Sequence, residues 1–356
     1  MLHVEQQEKS PWRVASNCSF PRFVLQLLGN APYGWFSTNR GNMAVVRCDR
    51  DGTRLIEAVH GRELLPLYEK MKPGDPAVAK LVDEGGDSYL CSSSTKAIKL
   101  GAGTVEQMME DLLNEELVNA ICLVRPPGHH CGRHGKVVLS YGFCFTNLSM
   151  MAVEKALELD SSHRILLVDC DGHHNDGTEE VVIADETGSF KDHLRVANLF
   201  LKGEVLDEEN KLQPFHPGFG NFCDGPIIYN RPIQIVEDKE EMRKSWMDSY
   251  RNLMQAEWLM AFDPTVVIMD FGTDAHIYDP GVFRAGCLKL EDYVEMVELA
   301  VDVADSKSAL NRLALIGQGG YGIEGGPCGT FPQIFTAAVG DYSEGCRFLV
   351  WWALCS

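Results

Sequence analysis

The stretch "RILLVDCDGHH", Arg164 to His174, is a short apolar run followed at once by polar residues. The run 164–168 suits a parallel strand buried on both faces. After it, Asp169, Asp171 and His173 stand two apart, so on extended chain they point to the same side. Whether this alternation holds a metal or merely ends a strand depends on what else in the chain reaches the same place.

The same arrangement recurs. "AICLV" (120–124) precedes "RPPGHH", "TVVIM" (265–269) precedes "DFGTDAH", and "LALI" (313–316) precedes "GQGGYG". Between these runs lie helical patterns. "TVEQMMEDLLNEEL" carries apolar residues at Val105, Met108, Met109, Leu112 and Leu113, with Thr104 and Gln107 as a capping box at its start. Further helices are expected over 146–159, 239–262 and 290–305. Strands separated by helices imply right-handed crossovers and a mainly parallel sheet covered on both faces, an α/β fold. No linker or break in composition divides the 356 residues, which read as one domain. The segment 185–230, with "LDEENK" and "PFHPGFGNFCDGP", reads as irregular loops, and residues 1–50 are the least readable.

Composition narrows the function. Thirty-two Lys and Arg against 51 Asp and Glu give a formal net charge of −19, which argues against a nucleic-acid-binding stripe and is compatible with a cationic substrate or partner. Twelve cysteines without a CxxC pair, and a start without a charged-then-apolar leader, read as free thiols in a nuclear or cytoplasmic compartment. The apolar runs "FVLQLL" and "FLVWWAL" are too short to span a bilayer, and the second reads as the last core element.

All four polar segments follow the C-terminal ends of expected parallel strands, the edge where open α/β sheets place their sites. Asp171 and His173 from one strand end and Asp274 from another offer two carboxylates and an imidazole. Three protein ligands with the remaining positions open fit a catalytic zinc site. His129 and His130 follow Pro-Pro-Gly, a turn that can direct both rings into a pocket. Imidazole titrates near neutrality and suits acid–base work there. Each ring needs an orienting partner, and Asp169 and Asp176 are available. Tyr321 follows the glycines of "GQGG" and can donate to a developing oxyanion.

Taken together, "RPPGHH", "YGFCFTN", "DCDGHHNDGT", "GTDAHIYDP" and "GQGGYG" resemble, in this order, the zinc-dependent histone deacetylases and their acetylpolyamine-hydrolysing relatives. The resemblance covers roughly residues 55–330. It implies an arginase/deacetylase-type three-layer fold around a mainly parallel sheet of about eight strands. It also implies one zinc held by Asp171, His173 and Asp274. His130 falls in the position of the base, and His129 in that of the electrostatic partner or acid. Asp169 stands behind His129 and Asp176 behind His130, and Tyr321 polarises the acyl carbonyl. Gly142 and Phe143 match the floor and wall of an acyl-lysine channel, and Gly320 lies on its substrate side. Potassium is implied as a structural ion near the Asp169 segment. The implied substrate is an acetylated lysine of a histone or other protein, or an acetylated polyamine, hydrolysed to acetate and a free amine.

Some positions depart from the family pattern. Gly172, Asn175 and Thr273 stand where a bulkier apolar residue, glycine and phenylalanine are usual. His216 falls where a second aromatic wall is expected. Either Asp87 or Ser88 could hold the substrate backbone. An "HPERP"-like rim segment is not evident, unless "SPWRV" stands in. A ureohydrolase with two manganese ions would need acids where Asn175 and His276 stand. A non-catalytic acyl-lysine reader would be expected to have lost the tyrosine, a histidine or a ligand.

Overall fold

A computed structural model describes residues 43–75, 80–81, 88–114, 119–133, 142–185, 187–206, 210–215, 225–280, 285–305, 312–322, 334 and 348–352. Its centre is one eight-stranded sheet. The strands are β1 (Met43–Arg47), β2 (Asn119–Leu123), β3 (Ile165–Asp169), β4 (Leu194–Lys202), β5 (Ile228–Gln234), β6 (Val266–Phe271), β7 (Leu313–Gly317) and β8 (Phe348–Trp352). Their spatial order is β1-β8-β2-β7-β6-β3-β4-β5, and every neighbouring pair runs parallel. The expected α/β architecture and strand number are those observed, and "FLVWW" enters the sheet between β1 and β2.

Each central strand divides its residues between two cores, as period-2 alternation requires. In β3, Ile165 and Leu167 pack with Val105, Met109, Met150 and Val153, from the helices α3 (Ser94–Leu113) and α4 (Leu148–Leu159). Leu166 and Val168 face the other way, onto Trp246, Tyr250, Met296 and Val297 of α6 (Lys239–Met254) and α8 (Leu290–Ala304). The first core also takes in α1 (Thr53–His60) and α2 (Leu64–Met71). Burial on both faces explains why these strands read as continuous apolar runs. Leu166 is fully buried, so its truncation to Ala would cost about 2–5 kcal/mol.

Three local expectations are corrected. Thr104 is not a cap: α3 begins ten residues earlier at Ser94, and the Thr104 hydroxyl donates back to the Leu100 carbonyl at 2.6 Å, inside the helix. Within α3, a Cβ on Gly103 would stand 2.0 Å from the Arg50 carbonyl oxygen. The glycine permits a close crossing without ending the helix. The helix expected over 239–262 is two, α6 and α7 (Glu257–Phe262), parted at Gln255 and Ala256. The segment 185–230 is less irregular than its composition suggests. It holds β4, the start of β5, and a short antiparallel ribbon pairing Glu204–Leu206 with Leu212–Pro214. Asn198, Arg231 and Pro232 masked the pattern, and Pro232 is tolerated because β5 is the sheet's edge. Ahead of β5 lies α5 (Asp176–Ile183), which follows β3 and opens beside the site.

Candidate active site

Four loops leave the C-terminal ends of β2, β3, β6 and β7, which are adjacent or near-adjacent in the sheet, and they meet above that edge. Asp171 and His173 come from the β3 loop and Asp274 from the β6 loop. One donor atom from each lies within 4.8 Å of the other two. The Nδ1 of His173 faces both carboxylates, 2.8 Å from Asp274 Oδ2 and 3.2 Å from Asp171 Oδ1. The opposite oxygens are engaged by backbone. The Gly319 N–H donates to Asp171 Oδ2 and the Gly172 N–H to Asp274 Oδ1, both at 2.7 Å. The His173 ring stacks on Phe215, centroids 4.8 Å apart and planes at 16°.

This donor set fits a divalent ion: two buried carboxylates and one imidazole converge, and the second oxygen of each carboxylate is already engaged by backbone. The cradle is cut to size by missing side chains. A Cβ on Gly272 would sit 2.2 Å from Asp171 Oδ2, and one on Gly319 would sit 2.5 Å from it and 2.6 Å from Asp274 Oδ2.

The histidine pair lies alongside, ring centroids 4.1 Å apart. His129 Nδ1 is 2.9 Å from Asp169 Oδ2, and His130 Nδ1 is 2.7 Å from Asp176 Oδ1, the two pairings read from the sequence. The rings differ in charge preference. Burial opposes charge on His129, but Asp171 and Asp169 overcome it and raise its pKa to about 10. Burial, joined by the charge on His129, pushes His130 well below the usual imidazole range. The surroundings therefore favour the charged form of His129 and the neutral form of His130. In the triad, burial would raise Asp171, but His129 and His173 hold it far below the carboxylate range. His173 is raised to about 10 against burial, chiefly by Asp274. Burial, then Asp171, raises Asp274.

Tyr321 is buried, which pushes its phenol well above the ordinary value and keeps it a hydrogen-bond donor. Its ring lies 5.7 Å from Phe143, centroid to centroid. Phe143 adopts φ 65°, a region costly for a bulky residue, and Gly142 adopts φ 59°. The Phe143 N–H donates to Ser88 Oγ at 3.1 Å. A Cβ on Gly142 would stand 2.5 Å from His130 Cδ2, so this turn closes directly on the histidine. Gly320 takes φ 143° immediately before Tyr321.

Asp87 and His216 lie outside the described residues, whereas Ser88 is fully buried behind Phe143. Of the departures, Gly172 offers its N–H to Asp274, and Thr273 donates its N–H to the Gly319 carbonyl at 2.8 Å. Asn175 is buried, and neither end of its amide finds a hydrogen-bond partner among the described residues. Three further residues bear on the site. Phe215 supports His173. Asp279 accepts from the Tyr321 and Gly322 N–H groups, both at 2.8 Å. Asp270 is fully buried and raised to about 8 by burial and then by Asp169, its partner in register across β3 and β6. All three sit inside or beside quoted motifs, so adjacency to a motif was the available signal.

A parallel α/β sheet thus carries at its carboxyl edge a triad able to hold a metal ion, with paired histidines and a buried tyrosine beside it. The histone deacetylase domain model matches residues 37–328, and the chain belongs to that family. It is 29% identical over 252 residues to Type-2 histone deacetylase 2 of Dictyostelium discoideum, covering 67% of this chain and 13% of that protein. It is 28% identical over 228 residues to a probable deacetylase of Archaeoglobus fulgidus (64% and 56% covered). It is 27% identical over 240 residues to a histone deacetylase-like amidohydrolase of Pseudomonas aeruginosa (67% and 57%). The chain thus spans less than two thirds of the length of these relatives. The crystal structure of the HDA15 HD domain shares the fold, with a TM-score of 0.64 at 21% identity over 84% of this chain and 75% of that one. Among the described residues, no helix is long and apolar enough to cross a membrane.

Proposed function

We propose that this chain is a zinc-dependent hydrolase that removes acetyl or related acyl groups from lysine side chains of histones or other proteins. The observation that carries the reading is the convergence of Asp171, His173 and Asp274 within 4.8 Å, beside two carboxylate-backed histidines. Family membership supports the reaction class, and the net charge of −19 suits a substrate segment rich in lysine.

Asp171, His173 and Asp274 would hold one zinc ion, which when bound supplies Lewis acidity toward the acyl carbonyl and a water. His130, held through Nδ1 by Asp176, takes the proton of the attacking water at Nε2. Tyr321 donates its phenolic O–H to the carbonyl oxygen as negative charge develops. His129, kept protonated between Asp169 and Asp171, stabilises that charge and supplies a proton to the departing amine. Gly142, Phe143 and Gly320 line the approach, with Asp87 and His216 proposed for its rim and outer wall. The products are acetate and a free amine, with no covalent enzyme intermediate.

Potassium fits as a structural ion near Asp169. Asn198, in register with Asp169 across β3 and β4, has a buried Oδ1 without a hydrogen-bond partner among the described residues, an oxygen suited to a monovalent cation. We take residues 1–356 as one deacetylase-like domain, because one sheet collects strands from Met43 to Trp352. A nuclear or cytoplasmic setting is supported by free thiols at Cys48, Cys91, Cys122, Cys131, Cys144, Cys170 and Cys287.

The test is acetate release measured side by side on acetyl-lysine peptides, longer acyl-lysines and acetylated polyamines, with zinc content determined on the same protein. Turnover highest on acyl-lysine peptides is expected. Turnover confined to polyamines would move the substrate class, and zinc without turnover on any acyl-amine would leave a reader.

A further inference from the structure

Gln318 is almost fully buried and stands three residues before Tyr321, at the end of β7. Both ends of its amide are used. Oε1 accepts from the Gly128 N–H at 2.9 Å and from the His129 N–H at 3.3 Å. These donors are backbone groups, so the end facing them must be the carbonyl. Nε2 donates to Asp270 Oδ1 at 2.6 Å and to Ser149 Oγ at 3.3 Å. The backbone of the same residue is tied on both sides: its N–H donates to the Phe271 carbonyl at 3.2 Å, and its carbonyl accepts from Arg125 at 2.8 Å.

One residue therefore joins the loop that carries the histidine pair, the strand end that carries Asp270, and the loop that carries Tyr321. The chemistry needs an acceptor on one side and a donor on the other, at the reach of a single side chain. Glutamine meets that need. Glutamate would keep the acceptor but set a second carboxylate against Asp270, and leucine would take the acceptor from the buried Gly128 and His129 N–H groups and leave Asp270 Oδ1 with the Ser149 hydroxyl but without the amide donor.

We propose that Gln318 is a positioning residue for the hydrolysis, its amide holding the histidine loop and the tyrosine loop at a fixed spacing. The proposal rests on the deacetylase reading. A general base and an oxyanion donor act on opposite sides of one carbonyl carbon, and small misplacements of such groups are costly in rate. Gln318 touches no reacting atom; it acts through His129 and Tyr321.

The test compares wild type, Gln318→Glu and Gln318→Leu on one acetyl-lysine peptide, with kcat, KM, zinc content and thermal midpoint measured for each. The expected order of kcat is wild type, then Glu, then Leu, the last at least about tenfold down, with KM and zinc per chain unchanged. The glutamate variant is nearly isosteric and decides the question should the leucine variant fail to fold. Equal kcat per zinc-loaded chain in wild type and Gln318→Glu would overturn the proposal, whatever the thermal midpoints. So would a leucine variant as active as the glutamate one, or a loss confined to KM. Wild-type turnover tests the deacetylase reading, and the ratios among the three proteins test Gln318.

Discussion

The Gly319 N–H donates to Asp171 Oδ2 at 2.7 Å, while the hydrogen in place of a Gly319 side chain leaves room for the carboxylates of both Asp171 and Asp274. The two features have separate consequences, because a Gly319→Ala change keeps the N–H and fills the space.

Gly319 is not among the positive-φ residues, so alanine fits its backbone and only the added Cβ matters. We expect Gly319→Ala to weaken metal affinity roughly 10- to 100-fold, in line with other supporting-residue changes at metal sites. Competition with a chelator measures it. Unchanged affinity would mean that the carboxylates reach the ion along another path.

In the proposed mechanism the Tyr321 hydroxyl donates to the developing charge, and its removal takes that donor away. Tyr321→Phe should lower kcat by about 100- to 1,000-fold and leave metal content intact. Full activity in the variant would end the oxyanion role.

His130→Ala should abolish turnover with the metal retained, since His130 Nδ1 is held by Asp176 and the triad stands without it. Metal loss on this change would make His130 a ligand.

A fourth prediction concerns stability. His60, the last residue of α1, is buried, donates from Nδ1 to the Gly132 carbonyl at 2.9 Å and accepts from the Asn147 N–H at 2.8 Å through Nε2. Burial lowers its pKa to about 4, against 6.5 ordinarily. Between these values the unfolded chain binds the additional proton, so stability is complete above about pH 6.5 and falls as pH drops toward 4, by roughly 3 kcal/mol. Urea unfolding across this window should show that slope, and His60→Asn should flatten it by about one proton. Identical slopes in the two proteins would refute the assignment.

Much of this arrangement was legible in the chain because parallel strands buried on both faces leave uninterrupted apolar runs, and because active-site loops follow their C-terminal ends. Asp171, His173 and Asp274 could be named from that logic, and the pairing of Asp169 with His129 and Asp176 with His130 came with the family resemblance. The rest was hidden where one residue's role depends on distant partners. Gln318 drew no attention inside "GQGG" because its glycines dominate the motif. Phe215 was passed over for His216 beside it, and Asp279 was quoted without a role. Strand β4 was missed because Asn198, in register with Asp169 on the neighbouring strand, interrupts its apolar pattern.

The most direct measurement is the rate of acetate release from an acetyl-lysine peptide as zinc is added back, in steps, to metal-stripped protein. The account predicts a rise that levels off at one zinc per chain, and no rise at all for Asp274→Ala. Hydrolysis that proceeds unchanged in the stripped protein, or that Asp274→Ala leaves intact, would contradict it.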